Sequence, residues 1–306
     1  MELRQFFTLI ALIDNDFSVS RTAEKLFLVQ SAVSQQLKRL EQELDSELFI
    51  RKGKRLTGLT DFGRQVEQQA HYATQSVKNI QRMAQDAQQL SQGVLRIGCT
   101  HTQARYVLPP VISQFNRSYP EVELQMHQGN PQQLVEWAAN DVVDFSICTE
   151  ELAQSEKLES IPCYRWNRCL ITLPDHPLLK IKKPGLADLC DYPLITYVMG
   201  FTGRKSLDET FAHARLKPSI VLSAADTDII KTYVLDGLGT GIIARMAFNK
   251  ELDKSLRFMD LSDLFPWEIT RIAYLKNKYI HHHQQTFVDL FLKTIRSDKS
   301  PRFVAL

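Results

Sequence analysis

One long helix, predicted from Thr60 to about Gln92, constrains the fold of this 306-residue chain more than any other feature. The stretch contains no proline, and its apolar residues recur at alternating steps of four and three: Val66, Ala70, Ala73, Val77, Ile80, Ala84 and Ala87. A heptad pattern of this kind gives the helix one narrow apolar stripe. Because such a helix is hard to hold in water alone, we expect the stripe to pack against a second copy of the chain. The alternative is that it packs on the C-terminal part of its own chain.

The stretch before this helix has the pattern of a helix-turn-helix. Ser20 is expected to cap a short helix through Leu26, and after a turn a second helix runs from about Gln30 to Leu40. Val33, Leu37 and Leu40 give the second helix a buried face. Its opposite face carries polar side chains that can reach base edges or phosphates, as a helix in a DNA major groove requires. These predicted DNA-binding residues are Gln30, Ser31, Ser34, Gln35 and Lys38.

Four cations around a glycine follow the second helix and predict a wing that contacts phosphates. They are Arg51, Lys52, Lys54 and Arg55, between two short extended segments. The formal net charge of the chain is only +2, and residues 1–60 hold nine Lys and Arg against eight Asp and Glu. Any affinity for DNA must therefore come from where the cations are placed.

After Gly93 the pattern changes to alternating strands and helices, which predicts parallel α/β sheets. The alternation of strands and helices is interrupted around residues 161–167. Glu268–Leu275 has the pattern of a strand that returns to the first set of strands and helices. Two α/β lobes with a cleft between them follow, as in periplasmic binding proteins. The predicted fold class is α/β: a winged helix-turn-helix at 1–59, a linker helix at 60–92, and an effector-binding domain at 93–306. Lobe I covers about 94–162 and 267–297, and lobe II about 166–264.

Polar residues at strand ends and loops of both lobes predict a site for a small anion. Thr100, Thr102 and Gln103 follow the first strand, and Thr149 follows the strand that ends at Cys148. Thr202 lies in a glycine-rich loop that opens a helix of lobe II. Ligands of open α/β sheets bind outside the carboxyl ends of strands, and hydroxyl and amide groups suit a polar anion. The alternative is that each threonine caps a helix.

Other classes of protein find less support in the sequence. The N-terminus lacks the charge pattern of a signal peptide, and no apolar run approaches the roughly 20 residues that span a bilayer. Five scattered cysteines without a CxxC pair fit a reducing cytoplasm. His281-His282-His283 has no acidic or Cys partner nearby, and no nucleophile–base arrangement is visible. We therefore expect a cytoplasmic protein that is not an enzyme, with no catalytic residues, cofactor, metal or membrane contact.

Two sets of motifs resemble one family. The segment TAEKLFLVQSAVSQQLKRLEQELDSELFIRKGKRLTGLTDFG has the LE, LF-x-R and T-x-x-G spacing of LysR-type transcriptional regulators. It departs from them at Val29, where the family usually has Ser or Thr before the recognition helix, and Val cannot cap. The segments THTQARYVLP, PCYRWNR, YPLITYVMGFTGR and ADTDIIKTYVLDGLGTGIIA resemble the CysB and Cbl branch of that family. The resemblance extends from about residue 1 to residue 275.

This resemblance implies an activator of genes for sulfate assimilation and cysteine biosynthesis. Its expected partners are double-stranded promoter DNA, RNA polymerase and further copies of itself, as a homodimer or homotetramer. The implied inducers are acetylated serines, and sulfate can occupy the same cleft. Adenosine phosphosulfate, as in Cbl relatives that respond to sulfate starvation, is the alternative inducer, and a ligand sensor without DNA function is a further alternative. Thr100, Thr102, Gln103, Thr149 and Thr202 match the family's ligand-contacting residues, while Trp166, Phe201 and Arg204 are weaker candidates for the cleft wall.

Overall fold

A computed structural model describes residues 1–53, 55–87, 93–297 and 303–306. The described residues form two compact units. The first comprises the residues up to position 87 together with Asn277–Tyr279, and the second comprises the others. Within the described ranges, none of the helices is both long enough and apolar enough to cross a membrane.

The first unit is a winged helix-turn-helix followed by a long helix. Its elements are α1 (Leu3–Asp14), α2 (Val19–Lys25), α3 (Gln30–Glu43), β1 (Phe49–Lys52), β2 (Arg55–Leu59) and α4 (Asp61–Ala87). The expected buried face of the second helix is present, because Val33, Leu37 and Leu40 lie in the core. The cap of α2 was predicted wrongly. Ser18, not Ser20, accepts a hydrogen bond from an amide of the first turn, since the helix already begins at Val19.

The apolar stripe of α4 is divided between two environments. Near its N-terminus, Ala70 is buried and Val66 packs against the winged helix-turn-helix core. Farther along, Ile80 is 66% exposed, and Ala84 and Ala87 are exposed as well. Only the first part of the predicted stripe is therefore covered by the chain's own first unit. The last residues of the predicted linker helix, 88–92, lie outside the described ranges.

Lobe I of the second unit is built on a six-stranded sheet in the order β13-β6-β12-β5-β3-β4. Its strands are β3 (Gly93–Cys99), β4 (Val122–Gln128), β5 (Phe145–Cys148), β6 (Leu158–Trp166), β12 (Glu268–Leu275) and β13 (Val304–Ala305), and its helices are α5 (His101–Tyr106), α6 (Leu108–Ser118), α7 (Pro131–Ala139) and α11 (His282–Ser297). Strand β3 runs parallel to β4 and β5, as predicted. The sheet is nevertheless mixed, because β12 returns antiparallel to both β5 and β6.

Lobe II is built on a five-stranded sheet in the order β11-β7-β10-β8-β9. Its strands are β7 (Arg168–Thr172), β8 (Leu194–Tyr197), β9 (Ile220–Ala224), β10 (Thr240–Ala244) and β11 (Arg257–Asp260), and its helices are α8 (Leu186–Cys190), α9 (Arg204–His213) and α10 (Thr227–Leu235). Strand β8 is parallel to β9 and β10, whereas β7 is antiparallel to β10 and β11. This sheet is also mixed rather than parallel.

The chain crosses between the lobes twice, and one side chain ties the two crossings together. The first crossing is at Asn167, between β6 and β7, and the second lies between β11 and β12. The Asn167 amide donates a hydrogen bond of 2.9 Å to the carbonyl of Phe265 in the second crossing. Because β6 continues to Trp166, lobe I extends a few residues past the expected position 162. The end of the chain also adds to lobe I, since β13 pairs with β6 and Phe303 packs against Tyr164.

Candidate functional sites

The predicted DNA-binding residues of α3 all lie on its exposed face. Gln30, Ser31, Ser34, Gln35 and Lys38 are exposed, opposite the buried Val33, Leu37 and Leu40. The start of the helix has no side-chain cap, as expected from Val29. The Val29 carbonyl instead accepts hydrogen bonds from the amides of Ala32 and Val33. The helix therefore presents a polar face despite the missing capping residue.

One carboxylate holds the wing against the end of α3. Glu41 accepts hydrogen bonds from the amides of Leu48 and Phe49, at 2.9 and 3.3 Å. It also pairs with the Arg51 guanidinium at 2.6 Å. Hydrogen bonds to a charged group are stronger than neutral ones, so this residue fixes where the first wing strand leaves the helix. Sequence reasoning recognised Glu41 only as part of the LE motif and did not assign it this role.

The wing is an antiparallel hairpin of β1 and β2 with Lys52 opposite Arg55. Gly53 takes a φ of +61° at its tip, a conformation that glycine adopts without strain. Arg51, Lys52 and Arg55 are exposed, and Arg51 is partly committed to Glu41. Lys54, the fourth predicted phosphate contact, lies outside the described residues. The hairpin can therefore offer at least three cations to a phosphate backbone.

The threonines predicted for the cleft do not act as helix caps. Thr100 occupies the N-cap position of α5, yet its side chain makes no capping hydrogen bond. Thr102 and Thr202 are almost fully buried, and neither hydroxyl has a hydrogen-bond partner among the described residues. Thr102 lies beside the Tyr197 hydroxyl, and that hydroxyl contacts Thr227 at 2.7 Å and accepts from the Ala244 amide at 3.2 Å. The capping alternative therefore fails for these three threonines.

Gln103 and Thr149 lie in a hydrogen-bonded group that belongs to lobe I. The Tyr164 hydroxyl donates to the Gln103 carbonyl oxygen, and burial raises the pKa of Tyr164. Thr149 accepts a hydrogen bond of 3.2 Å from the Trp166 ring nitrogen. It also lies 3.4 Å from the hydroxyl of the buried Thr270. These contacts orient both predicted effector residues on the lobe I side of the cleft.

Two charged groups contact the loop that carries Thr202, Glu150 from lobe I and Arg168 from lobe II. The Gly203 amide donates to Glu150 of lobe I, the residue after Thr149. The Gly203 carbonyl accepts from Arg168 at 2.5 Å, and Arg168 also pairs with Glu268 of lobe I at 2.7 Å. Arg168 is 3% exposed at its side chain and Glu268 15%. A buried ion pair and a charge-assisted hydrogen bond thus join the lobes beside the predicted anion site.

The weaker candidates divide between the two lobes. Trp166 is buried in the lobe I core, and its ring nitrogen donates to Thr149. Phe201 packs against the lobe II core. The Arg204 guanidinium bonds to Asp208, to the Tyr197 carbonyl and to Ser223, all in lobe II. These contacts hold the Arg204 side chain within lobe II.

Sequence reasoning missed Glu150, Arg168 and Glu268. One signal was available for Arg168, because it directly precedes the mostly apolar run Cys169–Leu173, which the sequence assigns to a strand. A buried arginine requires a partner of opposite charge. Glu150 gave no such signal, since its partner is a backbone amide more than fifty positions away.

Comparison with known proteins covers both units. Residues 3–64 match a model of bacterial regulatory helix-turn-helix proteins of the lysR family, and residues 88–296 match a model of the LysR substrate binding domain. The HTH-type transcriptional regulator CysB of Burkholderia cenocepacia is 40% identical over 295 residues, covering 96% of this chain and 94% of that protein. The HTH-type transcriptional regulator cbl of Escherichia coli is 37% identical over 275 residues, covering 90% of this chain and 87% of that protein.

Among solved structures, the cofactor-binding domain of the Cbl transcriptional regulator is similar to the second unit. It has 38% sequence identity and a TM-score of 0.63, and it covers 65% of this chain and 87% of that chain.

Proposed function

Because the chain belongs to the LysR family of bacterial transcriptional regulators, we propose that it activates genes of sulfur assimilation and cysteine biosynthesis in response to a small anionic effector. It is a regulator and not an enzyme. The effector binds between lobes I and II, and the winged helix-turn-helix binds promoter DNA. Activation requires that the DNA-bound protein then contacts RNA polymerase.

The exposed polar face of α3 and the cationic wing support the DNA-binding half of this proposal. Gln30, Ser31, Ser34 and Gln35 carry the hydrogen-bonding groups that read base edges. Lys38, Arg51, Lys52 and Arg55 carry charges that bind phosphates without regard to sequence. Lys54 belongs to the same proposed set.

The buried, unpartnered hydroxyls of Thr102 and Thr202 are the observation that carries the effector half. A buried polar group without a partner costs free energy, so such groups mark places that a ligand or water satisfies. Here one comes from each lobe, and no partner exists for either within the described chain. Thr100, Gln103 and Thr149 complete the proposed contacts with the effector.

The sulfur connection rests on the relatives, several of which bear names of the CysB and cbl type. The resemblance to that branch implies that the inducer is N- or O-acetylserine and that sulfate occupies the same cleft. Adenosine phosphosulfate is the alternative, which would make the protein a Cbl-like regulator of genes for sulfate starvation. These ligands share a negatively charged group with several acceptor oxygens, to which threonine hydroxyls can donate.

Two measurements on the purified full-length protein test the proposed function. Fluorescence anisotropy compares binding to a sulfur-assimilation promoter with binding to scrambled DNA of the same length. Calorimetric titration then compares O-acetylserine, N-acetylserine, adenosine phosphosulfate and sulfate. We expect tighter binding to the promoter and binding of an acetylserine. Preference for adenosine phosphosulfate would favour the Cbl-like alternative, and no binding to either DNA would favour a ligand sensor without DNA function.

We further propose that α4 pairs with its counterpart in a second copy, so that a homodimer or homotetramer presents two recognition helices to a two-fold operator. The stripe beyond Ala70 supports this, because Ile80 is two-thirds exposed in the single chain. Ile80→Asp should weaken dimerisation, since burial of an unpaired charge is costly. Operator affinity should fall with it, because two half-sites are no longer held together. Analytical ultracentrifugation measures the first effect and DNA titration the second.

Gln85→Asp is the matched control for this variant. Gln85 is exposed on the same helix but lies off the apolar stripe, so the substitution adds the same charge on another face. We expect this control to sediment like the parent protein. If Ile80→Asp also sediments like the parent, α4 does not pair through this stripe.

A further inference from the structure

Glu150 presents an unsatisfied acceptor beside the proposed effector site. It follows Thr149 at the carboxyl end of β5, and one of its carboxylate oxygens accepts the Gly203 amide. Its other oxygen, Oε2, is buried and meets no donor in the part of the chain that the structure describes. Carboxylate oxygens accept hydrogen bonds and donate none. The group that satisfies Oε2 must therefore bring a hydrogen.

Some groups around Glu150 raise the pKa of its carboxyl, and others lower it. Burial and the nearby Glu268 carboxylate raise the pKa of Glu150. The Gly203 amide, the amide of Glu150 itself and the Arg168 guanidinium lower it by less, so the pKa of Glu150 is raised from its ordinary value. The Gly203 amide also holds Glu150 in place, and the carbonyl of the same glycine accepts from Arg168. Glu150 is thus a fixed acceptor at the point where the lobes meet.

The threonine hydroxyls proposed to line the cleft can donate hydrogen bonds, whereas the Glu150 carboxylate can only accept them. Thr202 directly precedes Gly203, and its buried hydroxyl, like that of Thr102, can donate to an anion. The cleft therefore combines donors for an anionic group with one acceptor for an N–H or O–H. A ligand with only acceptor oxygens can accept from the threonine hydroxyls but cannot donate to Glu150.

We infer that Glu150 makes the cleft selective for an effector that carries an N–H or O–H donor beside its anionic group, and so for an acetylated amino acid over sulfate. This rests on the proposed effector function. Sulfate leaves Glu150 Oε2 unpaired and is a dianion, so its charge is repelled by the Glu150 carboxylate more strongly than the single carboxylate of an acetylserine. An acetylserine places its carboxylate on the threonine hydroxyls and its N–H or O–H on Glu150.

Glu150→Gln tests the inference by reversing the hydrogen-bonding character of one atom. The Gln carbonyl can still accept the Gly203 amide, while an NH2 replaces the unpaired oxygen. Calorimetric titration of the full-length variant with O-acetylserine, N-acetylserine and sulfate should show weaker acetylserine binding and tighter sulfate binding. We expect the ratio of the two affinities to change about ten-fold or more, as for the loss of one charged hydrogen bond.

Glu151→Gln is the matched control, because it removes the same charge at the next, exposed position. It should leave the affinity ratio unchanged. The inference is overturned if Glu150→Gln changes both affinities by the same factor, or if Glu151→Gln shifts the ratio equally. A parent protein that binds neither acetylserine nor sulfate would overturn the proposed effector, and this inference with it.

Discussion

Arg168→Met is expected to lower the melting temperature of the effector domain by roughly 6–20 °C. The substitution leaves Glu268 buried without its partner and removes the donor to the Gly203 carbonyl. Breaking one side of a buried ion pair typically costs about 3–5 kcal/mol. Each kcal/mol shifts the melting temperature of a domain of this size by about 2–4 °C. Differential scanning calorimetry of the full-length protein measures the shift.

Two further variants separate the ion pair from the loss of a long side chain. Arg117→Met changes an exposed arginine of lobe I and should alter stability by no more than about 0.5 kcal/mol. Arg168→Met combined with Glu268→Leu removes both charges and should recover most of the loss, because an apolar pair can replace a buried ion pair. A melting temperature within 2 °C of the parent value for Arg168→Met, a margin of about 1 kcal/mol, would show that this pair does not hold the lobes.

Thr202→Val and Thr102→Val are each expected to weaken effector binding about ten- to a hundred-fold. Valine keeps the shape of threonine but removes the hydroxyl, so an oxygen of the bound anion loses its donor at a cost of about 1–3 kcal/mol. Operator binding without effector should stay near that of the parent, because the proposed DNA contacts all lie within residues 18–55. Calorimetric titration with the effector identified for the parent measures the first effect, and fluorescence anisotropy the second.

The melting temperatures of the same two variants provide an independent test. Neither hydroxyl has a partner in the described chain, so valine removes a buried unpaired group and should not lower the melting temperature. Thr210→Val is the control, because its hydroxyl bonds to the Ser206 carbonyl within α9 and lies outside the proposed effector contacts. Effector affinities of both variants equal to that of the parent would contradict the proposed site.

The sequence was most informative where a repeating pattern spans several turns or strands. The spacing of Val33, Leu37 and Leu40 predicted the buried face of α3, and this face is confirmed. The fold class is confirmed too, since the alternation after Gly93 forms two α/β lobes. The cap of α2 was missed because Ser18 and Ser20 differ only in backbone conformation, which single residues do not encode.

The sequence likewise predicted only part of the proposed effector site. Thr102 and Thr202 could be proposed from the sequence because strand ends and loop-to-helix junctions collect ligands in α/β lobes. Their lack of partners could not be predicted, since it depends on how distant parts of the chain pack around each hydroxyl. The contact of Glu150 with Gly203 depends on how far the lobes have closed, which no local pattern specifies. The two-residue strand β13 was missed because it is too short to show any alternation.

The return of the chain from lobe II to lobe I determines the order in which the parts of the protein can fold during synthesis. Lobe II is continuous from Arg168 to Asp260, whereas the lobe I sheet lacks its internal strand until Glu268–Leu275 has been translated. Domains generally fold as units while the ribosome proceeds. We therefore expect the winged helix-turn-helix and lobe II to be folded before lobe I closes. A nonsense mutation ahead of Glu268 would then release a chain that retains its DNA-binding unit but cannot respond to effector, and which competes with the intact regulator for operators.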